Sequence, residues 1–209
     1  VEPDFLGHVL GRDFLNVYTA GELLRDDQAW LLFDGKAYHQ NLQVKLGEDY
    51  PAHNWSYPPT MFWISRLSVW FDYLTALALW HFCGVLLLGL ALAQLDLRWW
   101  WVLLVIFSPA GLINIIAGQN GFYTAALIVF AFSLAKRSSG LAGLSWAFLT
   151  IKPHLGAIAL PYLFVNRQWK VIAAGALAFG VLVSATVLVW GINPWISFLT
   201  YTAGQQTHV

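Results

Sequence analysis

The stretch YLTALALWHFCGVLLLGLALAQL, residues 73–95, contains no Asp, Glu, Lys or Arg. As a helix it would rise about 34 Å, enough to cross the ~30 Å hydrocarbon core of a bilayer. On its N-terminal side the chain is of a different kind. Of the eleven acidic residues in the sequence, only Asp96 lies after Asp72. From Tyr73 to Val209 the apolar sequence is interrupted by six basic residues, Arg98, Lys136, Arg137, Lys152, Arg167 and Lys170. The chain therefore divides into a polar part, residues 1–71, and an apolar part, residues 72–209, built for lipid. A charge inside the bilayer costs about 2.5–3.5 kcal/mol on insertion scales and survives there mainly for function.

Composition agrees with this division. The chain of 209 residues is 58% hydrophobic and only 11% charged, against about 25% charged in soluble domains. Its 12 Trp and 14 Phe suit aromatic anchoring at bilayer interfaces. No basic patch with interleaved aromatics is present, so a nucleic-acid partner is not expected. The lone cysteine, Cys83, can build neither a disulfide nor a thiolate metal site and reads as a small packing residue. The polar start and uncapped end read as a fragment of a longer protein, with at least one more helix upstream.

Further spans are expected at 99–117, kinked at Pro109, at 121–135 and at 171–190. Residues 140–165 differ: two apolar pieces, each too short to span comfortably, meet at Lys152-Pro153. That pattern predicts a broken or re-entrant helix pair, whose irregular backbone is tolerated only against protein or a water-filled cavity. In the polar part, Asp13–Arg25 and residues 36–46 are expected as amphipathic interfacial helices, separated by turns at Asp26-Asp27 and Asp34-Gly35. The apolar stretch from Tyr57-Pro58-Pro59 to Phe71, with Arg66 in its middle, reads as a third. The fold class is thus an all-α polytopic membrane protein. Basic residues mark the cytoplasmic ends, which puts the polar part, the Gly118-Gln119-Asn120-Gly121 turn and the loop from Asn193 on the outer side.

A few residues stand out for chemistry. Asp13 is either a helix N-cap or a general base at the membrane edge. Lys152 is alone in its stretch; it either snorkels to an interface or supplies a cation for a phosphate or other anion. The Gly118–Gly121 turn is either a tight connection or a set of amides for sugar hydroxyls. His53-Asn54-Trp55-Ser56-Tyr57-Pro58-Pro59 either anchors a loop or offers an aromatic stacking surface for a sugar. His8, His39 and His81 lack metal-ligand spacing and read as structural, so no metal site is expected. No GxSxG, P-loop or GxGxxG is present.

Four of these motifs in this order, Gly11-Arg12-Asp13-Phe14, His53 to Thr60, Gly118 to Gly121, and Thr150-Ile151-Lys152-Pro153-His154, resemble glycosyltransferase family 87. The resemblance runs over nearly the whole chain. It implies a GT-C type membrane transferase of the bacterial inner membrane with its active site on the extracytoplasmic side. It implies a polyprenyl-phosphate sugar donor, mannose being the family default, and a glycolipid or glycan acceptor among membrane lipids, without a cofactor. In residues, it implies Asp13 as catalytic base and Lys152 at the donor phosphate, joined by Arg12. His154, Gln119, Asn120 and Tyr57 would line the same substrate cavity. The acceptor hydroxyl would lose its proton to Asp13 while attacking the anomeric carbon, inverting it. A transporter or flippase for a lipid-linked or anionic substrate is the alternative, and a non-catalytic membrane scaffold is a third reading that leaves Lys152 unexplained.

Overall fold

The computed structural model describes residues 9–205 as eleven α-helices and three 3-10 turns, with no strand among the described residues. His8 and residues 206–209 lie outside them.

The polar part builds its own core. Helix α1 (Arg12–Arg25) starts at Gly11, whose φ of 74° is left-handed, and carries Asp13 in its first turn and Arg25 in its last, matching the helix dipole. A 3-10 turn, Ala29–Phe33, leads to α2 (Gly35–Leu46). Asp34 caps α2 by accepting from the Lys36 and Ala37 amides at 3.1 and 3.0 Å, so the expected turn at Asp34-Gly35 is a helix start. After an extended stretch, a 3-10 turn at Pro59–Met61 opens α3 (Phe62–Ser68), far too short to cross a bilayer. Helix α1 is not confined to a surface. Phe14, Leu15, Asn16, Val17, Thr19, Ala20, Gly21, Leu23 and Leu24 are all buried, which makes it the centre of this part. It meets α3 at Gly21, where an added Cβ would lie 2.0 Å from the Ser65 carbonyl oxygen.

Helix α4 (Tyr73–Ala93) is capped by Asp72, which accepts from the Thr75 amide at 3.1 Å. Next come α5 (Trp100–Ile106) and α6 (Pro109–Ala117), bent by 68°. The sequence predicts a kink here; the chain instead breaks. Ser108 accepts from the Gly111 amide at 3.1 Å and Pro109 takes the first turn, so α6 begins as a new helix. Helix α7 (Gly121–Ser133) is followed by α8 (Ser139–Phe148), a 3-10 turn at Leu149–Ile151, and α9 (Pro153–Val165), the break falling at Lys152 as the sequence indicates. Helices α10 (Trp169–Trp190) and α11 (Asn193–Gln205) meet at Gly191, φ 78°.

Among the described residues, two helices, α4 and α10, are long and apolar enough to cross a membrane, three if the bent α5–α6 pair counts as one span; α7, α8 with its turn, and α9 are shorter apolar helices. Leu177, Val181 and Leu188 of α10 are exposed by 60% or more, an apolar surface of the kind that suits lipid. Helices α8 and α10 touch through small residues: a Cβ on Gly143 would sit 2.6 Å from Ala174 Cβ and from the Gly175 nitrogen. Such residues let backbones approach where no hydrophobic drive exists between helices. Cys83 departs from expectation. It lies exposed on α4 rather than packed inside, because the apolar run around it faces outward as well as inward.

Candidate functional site

Three separated segments converge at the start of α1. The Gly11 amide donates to the Ile116 carbonyl at 2.9 Å. Gly118 is left-handed at φ 66°, and a Cβ there would lie 2.8 Å from Gly11 Cα. Gly118 leaves the room for this approach, and Gly11 takes the left-handed φ of 74° that starts α1. The Tyr73 hydroxyl closes the joint from α4, 2.7 Å from the Leu10 carbonyl oxygen and 3.2 Å from that of Gly11. The turn itself is held from two sides. Trp80 Nε1 donates to the Gln119 carbonyl at 3.2 Å, and Asn114 Oδ1 accepts from the Gly121 amide at 2.8 Å.

On this platform Asp13 stands at the second position of α1. It is not the N-cap, because Gly11 holds that place and no side chain caps the helix. Its carboxylate is 27% exposed, with Oδ1 3.8 Å from Arg12 Nε and 4.0 Å from His53 Nε2. Tyr57 is buried beside it. Burial first, and the negative charge of Asp13 second, push its phenol up to about 12, so it stays protonated at any working pH. Asn120 Nδ2 donates to the Tyr57 hydroxyl at 3.4 Å. Because Tyr57 accepts there, its own proton is free to point elsewhere. Asn120 is 1% exposed, and its Oδ1 has no partner among the described residues.

The aromatic segment divides in function. Trp55 is 2% exposed and packs on Tyr57 and Phe62, with ring centroids 5.1 and 6.2 Å away. It anchors the loop and has no free face to stack on a sugar. His53, which the sequence leaves inside that motif without a role, lies on the half-buried edge facing Asp13. Asn16 and Tyr38, also missed, fix this arrangement. The Tyr38 hydroxyl donates to Asn16 Oδ1 at 2.7 Å, and Asn16 Nδ2 donates to the Asn54 carbonyl at 3.4 Å. The available signal was Asn16 on the buried side of α1, one turn after Asp13.

Lys152 is half-buried at the α8–α9 break. Its neighbour Ile151 belongs to the core cluster that contains Phe14, Trp55 and Tyr57. Its other neighbour, Pro153, shares with Pro58 an apolar cavity of about 450 Å³ that α10 and α11 close with Gly175, Phe179 and Phe198. Among the described residues, the Lys152 ammonium forms no ion pair or side-chain hydrogen bond. The Gln119 side chain is half-buried at the turn, whereas His154 is exposed on the first turn of α9. The structure thus groups Arg12, Asp13, Tyr57 and Asn120, sets Lys152 beside the same core, and leaves His154 outward. No group of three or more His, Cys, Asp or Glu that could hold a metal occurs among the described residues, and His39 and His81 belong to none.

The family model described as Glycosyltransferase family 87 matches residues 55–209. The match begins at Trp55, so it takes in Tyr57, Asn120 and Lys152, while Asp13 lies upstream of it. No curated protein and no solved structure matches the chain.

Proposed function

This chain belongs to glycosyltransferase family 87 and is a membrane glycosyltransferase, and on that premise we propose that it moves a sugar, mannose by the family default, from a polyprenyl phosphate to an acceptor hydroxyl. The observation that carries this reading is a carboxylate, Asp13, held where three distant segments meet, beside Tyr57 of the core cluster to which Ile151, the neighbour of Lys152, also belongs.

A hydroxyl is a weak nucleophile at neutral pH. Asp13 takes its proton as the oxygen attacks the anomeric carbon. The bond from that carbon to the donor phosphate breaks on the opposite face, and its electron pair leaves on phosphate. The anomeric centre inverts. The leaving group is already anionic, so it needs a cation rather than a strong acid. Lys152, unpaired among the described residues, with Arg12 beside the base, supplies that charge. Tyr57 and Asn120 offer hydrogen bonds to sugar oxygens, Tyr57 as a neutral donor and Asn120 through the oxygen left open. The polyprenyl tail lies in the cavity between Pro58, Pro153 and Phe179, whose walls are almost wholly apolar. Reaction takes place on the extracytoplasmic face of a bacterial inner membrane, in a GT-C type fold. Transfer is favoured over transport because the family is a transferase family.

The test is transfer from a radiolabelled polyprenyl-phosphate sugar in membranes containing the protein. Asp13→Asn keeps shape and removes the base, and is expected to abolish transfer while the protein remains in the membrane. Lys152→Ala is expected to weaken donor use, read as a raised KM. Normal transfer by Asp13→Asn would remove Asp13 from the mechanism.

A further inference from the structure

We propose that the end of the bundle opposite Asp13 binds the phosphates of an anionic phospholipid through Lys136, Arg137, Arg167 and Lys170. The site is separate from the transfer chemistry and needs only that the chain is a membrane protein.

The two basic pairs are far apart in sequence, and packing brings them together. Lys136 and Arg137 follow α7, whereas Arg167 and Lys170 flank the start of α10. Leu134 and Ala135, next to the first pair, pack on a cluster made of Ala142 from α8, Leu163 from α9 and Val171 from α10. Helices α8 and α10 run side by side in the same direction. A Cβ on Gly143, in the second turn of α8, would lie 2.8 Å from the carbonyl oxygen of Val171, in the first turn of α10. Further along α8, the Trp146 ring reaches Gly175. The two helices therefore begin together, one led in by Lys136-Arg137 and the other headed by Arg167 and Lys170. The rings of Phe132 and Tyr162, with centroids 4.9 Å apart, tie the end of α7 to that of α9. This end lies away from the Gly118–Gly121 turn, because α7 starts at that turn and runs from it.

Helix α10 fixes the depth. Its 22 residues from Trp169 to Trp190 are long and apolar enough to cross a membrane, and a tryptophan at each end suits the two interfaces. Arg167 and Lys170 thus stand at the level of the lipid headgroups. All four cations are exposed, and none forms an ion pair or a side-chain hydrogen bond among the described residues. No carboxylate balances them. After Asp72 the chain has one acidic residue, Asp96, and it shares the α4–α5 connection with Arg98. The positive ends of the α8 and α10 dipoles add to the same field. Like charges gathered at an interface repel unless an anion sits among them, and the anion present at that depth is lipid phosphate. Guanidinium groups grip phosphate with paired hydrogen bonds, and ammonium groups act on it as point charges. Beside the cations lie the exposed Val165, Phe164 and Trp169, the two rings 5.4 Å apart. They form an apolar wall for acyl chains, which a soluble phosphate would not need. Four cations match the two phosphates of cardiolipin better than the single phosphate of phosphatidylglycerol.

The test uses the full chain in neutral detergent micelles titrated with cardiolipin, phosphatidylglycerol or phosphatidylcholine. Native mass spectrometry counts the lipids that stay on the intact protein. Cardiolipin is expected to be retained most and phosphatidylcholine least, and retention should fall as salt rises. Each cation near an anionic headgroup is worth about fivefold in affinity. Lys136→Gln with Arg137→Gln, or Arg167→Gln with Lys170→Gln, should therefore weaken cardiolipin binding about 25-fold. Lys136→Arg with Lys170→Arg keeps the charge and should keep the lipid. Arg98→Gln removes a cation from the same end, where α4 and α7 finish together through Leu92 and Phe130, but outside the patch. It should change binding less than about twofold. A loss in Arg98→Gln equal to that in either pair would reduce the patch to general surface charge and overturn the proposal. Equal retention of phosphatidylcholine would overturn it too, by leaving only apolar adhesion. Displacement of cardiolipin by millimolar inorganic phosphate would assign the cations to a soluble ligand and overturn the lipid reading. Both pairs lie at the far end from Asp13, so the result stands whatever Asp13→Asn does to sugar transfer.

Discussion

Replacing Gly118 by alanine tests the joint on which the site is built. Two costs arise at one atom. The residue is left-handed at φ 66°, a conformation that charges a residue with a Cβ roughly 1–2 kcal/mol. The added Cβ would also lie 2.8 Å from both Gly11 Cα and Phe14 Cβ and 3.0 Å from the Gly11 carbonyl oxygen. None of these atoms is the end of a flexible side chain. Gly11 cannot step aside, because its amide is committed to the Ile116 carbonyl at 2.9 Å and its own φ is 74°. Overpacking of this kind costs about 1–3 kcal/mol, so the substitution should cost on the order of 2–5 kcal/mol in all. Part of that strain would be relieved by sliding the turn away from α1, which would draw Asn120 off Tyr57. We expect Gly118→Ala to melt well below wild type in detergent and to lose at least about 10-fold in sugar transfer. The control is Gly180→Ala, in mid-helix with nothing within 4 Å of its Cβ, which should be neutral or stabilising by up to about 1 kcal/mol. Equal melting and equal transfer for the two variants would refute the joint.

Two other substitutions probe the site's support. Tyr38→Phe leaves Asn16 Oδ1 buried without its donor and should cost about 1–3 kcal/mol in thermal or denaturant unfolding; an unchanged transition would mean the 2.7 Å bond contributes nothing. Tyr57→Phe should slow transfer without altering its pH profile between pH 5 and 9. The phenol is pushed up to about 12 from an ordinary 10.0, so folding favours the neutral form. Its contribution is intact below pH 10.0 and is lost only as the pH climbs through about 12. A wild-type limb between pH 5 and 9 that is lost in that variant would show that Tyr57 exchanges protons.

The sequence made the helical architecture readable because charge and hydropathy change where the solvent does. Asp72 marks the start of α4 and Lys152-Pro153 marks a broken helix, since a cap and a proline act locally. Where a choice depended on distant partners, residue type was not enough. Asp13 read first as a cap, and only the placement of Gly11 decided otherwise. Trp55 read either as a loop anchor or as a platform for a sugar, and only its packing on Tyr57 and Phe62 decides for the anchor. Pro109 signalled a bend, but a bend this sharp also needs Gly111, whose Cβ would strike the Val105 carbonyl oxygen at 2.1 Å. The anchoring of the segment after His53 was hidden because it lies in Asn16 and Tyr38, which meet the Asn54 backbone only after α2 folds back onto α1.

The docking of Gly11 against Gly118 also sets a timetable for biosynthesis. At about 5–20 residues per second, the hundred or so intervening residues emerge over roughly 5–20 s, and α4 must enter the bilayer before the second glycine can reach the first. Throughout that wait Tyr57 stands without Asn120, its partner from the turn. Any substrate captured then would be held by half a site, so productive binding has to follow membrane insertion rather than guide it.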